Sequence, residues 1–186
     1  EPLWLNQVHG NKIICADCPN SPVPDGDGSF AKTQGKVCVV LSADCLPILM
    51  TNEKGTIVAA IHCGWKGLAS LIIEETVKIF LRQPDPILAW LGPAISQTHY
   101  EVGDEVRDQF LKINNHYDIA FKPSRPKHWM MDLYLIAKLQ LQKLGITKIS
   151  GGDFCTFEES NEFYSARRDQ IKTGRMASCI WITRIP

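Results

Sequence analysis

The sequence lacks a dominant charge, a long apolar run and a dense set of paired cysteines, and each absence removes a class of function. Lysine plus arginine and aspartate plus glutamate stand at 20 each. With no long run of one sign, no surface for nucleic acid or an anionic membrane is expected. No apolar stretch approaches the roughly 20 residues that span a bilayer, and no charged leader precedes an apolar segment at the N-terminus. Seven cysteines in 186 residues are too sparse, and odd in number, for a small disulfide scaffold. A reducing cytoplasm is therefore the expected compartment. Repeats, low-complexity tracts and linkers are also missing. With 45% hydrophobic residues, residues 1–186 read as a single domain with a sizeable core. The chain opens on Glu1-Pro2 rather than on methionine, so a further N-terminal segment is expected to belong to the domain.

What is present is an interleaving of strand-like and helix-like patterns. Residues 3–8 and 12–16 read as strands around His9-Gly10, and Asn20 to Gly28 as a loop rich in Pro, Asp and Gly. Val37 to Leu41 is a continuous apolar run and reads as a buried strand. Ile48–Thr51 and Ile57–His62 follow, separated by the turn Asn52-Glu53-Lys54-Gly55. From Leu68 the period becomes helical, with Leu68, Leu71, Ile72, Ile79 and Phe80 on one face and the Glu74/Lys78 pair on the other. Ile87–Leu91 is again a strand. Asp104 is expected to cap a helix that buries Val106, Phe110 and Ile113. Asp132 is expected to cap another, through Leu133, Ile136, Ala137, Leu141 and Leu144, ended by Gly145. Ile146–Ile149 and Ser178–Ile185 read as late strands. The expected fold class is α/β, with α+β character: mixed β-sheet layers covered by helices.

Three apolar segments end on a metal-capable side chain followed by Gly or Pro: Leu3 to His9, Val37 to Cys45, and Thr56 to His62. In an open sheet, ligands gather beyond the carboxyl ends of the strands. Two imidazoles and a thiolate collected there form a zinc donor set with one open position. Taken singly, His9 reads as a hydrogen-bonded loop residue and Cys45 as a buried thiol. The context they share with His62 favours a metal or catalytic site. Strand alternation puts Val58, Ala60 and His62 on one face and Ile57, Ala59, Ile61 and Cys63 on the other. Cys63 is therefore expected in the core, not on the ion.

Other chemistry-bearing residues carry weaker signals. Cys15-Ala16-Asp17-Cys18 is a C-x-x-C without a second pair or a helix start, and a functional role is not favoured. His99, His116 and His128 read as surface residues. Gly64-Trp65-Lys66-Gly67 feeds a helix whose free N–H groups suit an anion. Arg167, Arg168 and Arg175 flank a Gly turn and are able to fork onto phosphate, although spacing alone favours a solvated loop with an internal Arg–Asp pair.

The segments Gln7-Val8-His9-Gly10, Ser42-Ala43-Asp44-Cys45-Leu46-Pro47, His62-Cys63-Gly64-Trp65-Lys66-Gly67 and Leu91-Gly92-Pro93-Ala94-Ile95 run in a familiar order. Tyr100-Glu101-Val102-Gly103, Arg167-Arg168-Asp169 and Thr173-Gly174-Arg175 continue it. Over essentially its whole length the chain resembles the laccase-domain, YfiH-like family of purine nucleoside phosphorylases with adenosine deaminase activity. The resemblance implies a YfiH-like fold of the cysteine-hydrolase type, and Zn2+ held by His9, Cys45 and His62. It also implies phosphorolysis of adenosine, inosine, guanosine and methylthioadenosine, with hydrolytic deamination of adenosine. The chain departs from the family at Lys66, where Arg is common, and at Cys63, where Ala is common. Lys keeps the charge but not the fork. The name laccase suggests copper, but five histidines without an H-x-H pair argue against a multicopper centre.

On this reading the site's partners are small purine nucleosides and phosphate. The catalytic candidates are Cys45, His62 and Asp44, the last as a proton carrier, and the phosphate candidates are Lys66, Arg168 and Arg175. With one thiolate and two neutral imidazoles, zinc keeps one positive charge and so activates water, the chemistry by which zinc deaminases attack purine C6. Two other classes stand beside it. One is a cysteine hydrolase with Cys45 as nucleophile and His62 as base, acting on an amide or peptide. The other is a non-enzymatic module stapled by zinc.

Overall fold

The computed structural model describes residues 1–18, 22–81 and 85–183. In chain order the elements are β1 (Pro2–Leu3), β2 (Ile13–Cys15), β3 (Gly28–Ala31), β4 (Val37–Ser42), β5 (Leu46–Asn52) and β6 (Val58–Cys63). Then come α1 (Trp65–Ala69), α2 (Ile72–Phe80), β7 (Ile87–Leu91), β8 (Glu101–Gly103), α3 (Asp104–Ile113), β9 (Phe121–Pro123) and β10 (His128–Met131). The last are α4 (Leu133–Lys143), β11 (Lys148–Gly151), α5 (Ala166–Asp169) and β12 (Met176–Trp181).

A six-stranded sheet in the order β11-β7-β5-β6-β3-β2 forms the centre. Its outer pairs, β11/β7 and β2/β3, are parallel, and the inner pairs are antiparallel. A smaller sheet, β1-β4-β12, covers one face, and helices cover the other. This is the mixed α/β layering expected. A third sheet, β8-β10-β9, lies to the side.

Strand β6 shows why two layers form. Every one of its residues is buried, and alternation divides them between two cores. Val58 and Ala60 pack with Ala31, Cys38 and Val40 between the sheets, whereas Ala59, Ile61 and Cys63 pack with Leu68, Ile72 and Phe80 under the helices. Cys63 is fully buried there, as alternation required. Its thiol titrates well above the usual range, chiefly because burial disfavours the thiolate.

Several local expectations are corrected. Residues 3–8 do not form a full strand. After Leu3 only Asn6 makes an isolated bridge, to Asp25, and the Gln7 carboxamide takes the N–H and C=O of Leu41 at 2.7 and 2.8 Å in place of a strand partner. The helical run from Leu68 is two helices, because Leu71 adopts φ 60°, ψ 40°. That left-handed break resets the phase, so α2 buries Ile72, Ile73, Thr76, Val77 and Phe80, while Leu71 and Ile79 are only partly buried. Glu74 does meet Lys78, at 3.6 Å. Asp104 is the first residue of α3 and not its cap, since its carboxylate accepts from the Trp129 indole at 2.6 Å.

Asp132 caps α4 through the Leu135 N–H at 2.9 Å, and Gly145 ends it at φ +80°. The late strands sit at Lys148–Gly151, two residues later than expected, and at Met176–Trp181, which starts two residues earlier than expected and ends at Trp181. Asn20, Ser21, Arg184 and Ile185, included in the expected loop and final strand, lie outside the described residues. Strand β3 and the β8-β10-β9 sheet carried no pattern in the sequence, because each of their strands is only three or four residues long.

Candidate metal and catalytic site

The three expected donors meet, although only His62 lies at a strand end. One ring nitrogen from His9, the Cys45 sulfur and one ring nitrogen from His62 lie within 4.8 Å of one another. The imidazole centroids are 4.8 Å apart at 76°. His62 comes from the end of β6, Cys45 from the turn between β4 and β5, and His9 from the loop after β1. Two of these turns hold left-handed backbone, at His9 (φ 61°) and at Asp44 (φ 91°). Non-glycine residues hold such angles where surrounding contacts overdetermine them. Gly64 completes the cradle. A Cβ there would sit 3.0 Å from the Cys45 sulfur and 3.2 Å from the His9 ring.

Those contacts centre on a residue the sequence pattern did not single out. Asp27, fully buried, ends the loop before β3. One of its oxygens accepts from His9 N–H (2.8 Å) and faces His62 Nδ1 (3.0 Å). The other accepts from Gly10 N–H (2.6 Å) and Val8 N–H (3.2 Å). Burial pushes the Asp27 carboxyl up, but the bonds from His62, Gly10 and His9 outweigh it and hold it below its ordinary value. An ionised carboxylate only accepts, so His62 Nδ1 carries the proton and Nε2 is left for the cluster. Its only advance signal was the Asp-Gly-Asp-Gly run inside a loop, which by itself says turn.

Charge in the cluster is strongly coupled. Burial opposes the Cys45 thiolate, yet hydrogen bonds and charge from His62 and His9 bring the thiol down to about 7. Burial likewise opposes the His62 cation, while Asp27 and Cys45 raise it to about 9. Each partner therefore favours the charged form of the other, the Cys45 thiolate and the His62 imidazolium. For a metal, the donors fit an ion that accepts both sulfur and imidazole nitrogen.

The remaining expected site residues fall into two groups. Asp44 lies beside the cluster, buried at 7% exposure, and both its oxygens are engaged, by Thr156 Oγ1 at 2.7 Å and the Arg167 N–H at 2.6 Å. Arg167 brings its guanidinium 5.2 Å from the Tyr100 ring and donates to the Glu101 carbonyl at 3.1 Å. Tyr100 is kept from ionising mainly by burial and then by the Cys45 charge, which sets it close to the cluster. Spacing groups Arg167 with Arg168 and Arg175, whereas Tyr100 appears only within the family-like motif string.

Arg168 is spent on its surroundings. Its guanidinium donates to the Thr156, Phe157 and Phe163 carbonyls and forks onto Asp169, which uses all five of its donors. Arg175 is exposed and bonds the neighbouring Thr173 and Gly174 carbonyls. Lys66 is exposed, its ammonium 5.7 Å from the Trp65 ring. The helix it belongs to is only five residues long, so little dipole reaches an anion at its start. His128 bonds the Pro126 carbonyl, and the Cys18 thiol is held protonated chiefly by its bond with Cys15.

Known proteins resemble this chain over nearly its whole length. Residues 1–183 match the family described as multi-copper polyphenol oxidoreductase laccase. A protein of Escherichia coli named purine nucleoside phosphorylase YfiH is 44% identical over 182 residues, covering 98% of this chain and 74% of its own length. A purine nucleoside phosphorylase of Pseudomonas aeruginosa is also 44% identical, over 97% of this chain and 74% of its own. The crystal structure of a Neisseria meningitidis protein superposes with TM-score 0.92 at 38% identity, over 98% of this chain and 75% of that one.

Proposed function

The chain belongs to the multi-copper polyphenol oxidoreductase laccase family, and from that premise we propose that it is a zinc-dependent purine nucleoside phosphorylase that also deaminates adenosine. The observation that carries this reading is the His9–Cys45–His62 cluster with Asp27 behind it, in a chain 44% identical to enzymes named purine nucleoside phosphorylase. The substrates are adenosine, inosine, guanosine and methylthioadenosine, with phosphate. Zinc suits one thiolate and two imidazoles, and five histidines are too few for a multicopper set. When bound, zinc supplies Lewis-acid activation of the water or purine group it faces.

The chain's own residues do the rest. Asp27 holds the His62 ring by Nδ1, so Nε2 keeps a fixed direction. Burial of His62 strengthens the charge interactions it makes. Arg167 is the cation best placed for phosphate, because its backbone N–H is tied to Asp44, the neighbour of Cys45. Exposed Lys66 and Arg175 are secondary candidates, and Arg168, with every donor engaged, is assigned to holding its own loop. Asp44, with both oxygens bonded, is assigned to positioning Cys45 and Arg167. In phosphorolysis phosphate attacks ribose C1′ and the purine leaves. In deamination water adds at C6 and ammonia leaves, giving inosine. The cytoplasm is the proposed compartment, where the Cys45 thiol stays reduced.

The test is chromatography of adenosine incubated with zinc-loaded protein, with and without phosphate. Adenine formed only with phosphate, and inosine formed without it, are the expected products. Adenosine left untouched under both conditions would sink the proposal.

One observation favours a second reading. The Cys45 thiol at about 7 beside His62 at about 9 is the pairing of a cysteine hydrolase. Because the thiol is depressed, its thiolate is present above about 7 and lost as the pH falls through that value. Amide or peptide hydrolysis that survives zinc removal and disappears on stoichiometric alkylation by iodoacetamide supports this reading; retained hydrolysis after alkylation eliminates it.

A further inference from the structure

A second set of donors lies outside the site described above. One ring nitrogen of His99, the Cys155 sulfur and a carboxylate oxygen of Glu158 lie within 4.8 Å of one another. We propose that these three residues form a second divalent-metal site, of the zinc class, whose task is to fasten the 155–158 turn.

The geometry is set by contacts that need no metal. Cys155 and Glu158 belong to one helical turn, closed by the Glu159 N–H on the Cys155 carbonyl at 2.9 Å, and residues three apart on such a turn lie on one side. The Cys155 N–H is held by the Glu159 carboxylate at 2.6 Å, and Thr156 N–H by the Ala94 carbonyl at 3.1 Å. His99 arrives from a separate segment, at the end of a short 3-10 turn. Its ring stacks on Phe157 at 4.4 Å and 13°, and Nε2 lies 2.7 Å from Glu158 Oε1. The ring plane is thus fixed beside both other donors.

Chemistry separates the two sites. Sulfur, imidazole and carboxylate are all zinc ligands. A thiolate and a carboxylate neutralise a divalent ion, whereas the first cluster, with one thiolate, leaves it a positive charge. A neutralised ion is a weaker Lewis acid and is better suited to holding structure. Cys155 is buried at 6% exposure, and Cys155 and Glu158 line an open cleft of about 560 Å³ that leaves room for water as a further ligand. The turn that the ion would fasten carries Thr156. The Thr156 hydroxyl holds Asp44, and its carbonyl accepts from Arg168.

Metal stoichiometry tests the proposal independently of any activity. Zinc is titrated against a chromophoric chelator, and cobalt(II) is used as a second probe for its thiolate absorption. Wild-type protein is expected to hold two ions per chain, Cys155→Ser one and Cys45→Ser one. Should Cys155→Ser fail to fold, Glu158→Gln changes a side chain that is 59% exposed. It is expected to weaken one of the two ions by at least about tenfold and leave the other in place. One ion per chain in the wild type, or two ions that both ignore Glu158→Gln, overturns the proposal.

Discussion

The His9–Cys45–His62 cluster and the Ser165–Arg175 segment are both dense in reactive side chains, and the fold treats them in opposite ways. In the first, two imidazoles and a thiol converge, with a carboxylate behind them. In the second, Arg168 spends all its donors on its own loop, Arg175 bonds its own neighbours, and only Arg167 reaches towards the cluster. His62, on β6, inherits its direction from the sheet, while His9 and Cys45 sit on turns that the Asp27 bonds and the left-handed backbone at His9 and Asp44 hold in place. The arginines sit on a segment whose local partners claim most of their donors. At adjacent positions, Arg168 spends its guanidinium on nearby carbonyls and Asp169, while the Arg167 backbone N–H is tied to Asp44 beside Cys45.

This contrast is open to direct attack. The largest expected effect is at Cys45. Cys45→Ala should remove the cluster's zinc and turnover together, by metal analysis and adenosine assay, and full activity in that protein would erase the distinction. Asp27→Asn comes next, with zinc affinity falling about 10–100-fold, since partners behind a ligand carry effects of that size; competition titration reads it. In the other region, Arg168→Ala should lower Tm by several degrees by stranding three carbonyls. Zinc affinity should stay unchanged, and a selective rise in the KM for phosphate without loss of Tm would instead return Arg168 to the site. Arg167→Ala should raise that KM by about tenfold, the size of one charge-assisted contact, with Tm unmoved. The smallest effects belong to Lys66→Ala and Arg175→Ala, about twofold at low salt and fading at high salt as exposed charges are screened.

The same contrast shows what could be read from the sequence. His9, Cys45 and His62 were legible because each ends an apolar run, and strand period assigned Cys63 to the core before any coordinates. The helix at Asp132 and Gly145 was legible through local capping chemistry. Asp27 was not, because its role depends on three backbone N–H groups and an imidazole supplied by distant segments. Asp44 looked available for proton transfer, and only tertiary contacts with Thr156 and Arg167 show both oxygens engaged. The break at Leu71 was hidden because a non-glycine residue in left-handed backbone leaves no compositional trace.

The Asp44 clamp also has a consequence for biosynthesis. Its bond to Arg167 spans 123 residues, so translation at ~5–20 residues per second separates the two partners by roughly 6–25 s. His9, Asp27, Cys45 and His62 have all left the peptidyl centre early in that interval. A ribosome-arrested chain with its first 62 residues out of the tunnel, but stopped before Thr156, is expected to capture zinc while still inert towards nucleosides, measured by metal retention on purified stalled complexes. The ion would then act as a template during synthesis, in place before the residues that make it useful.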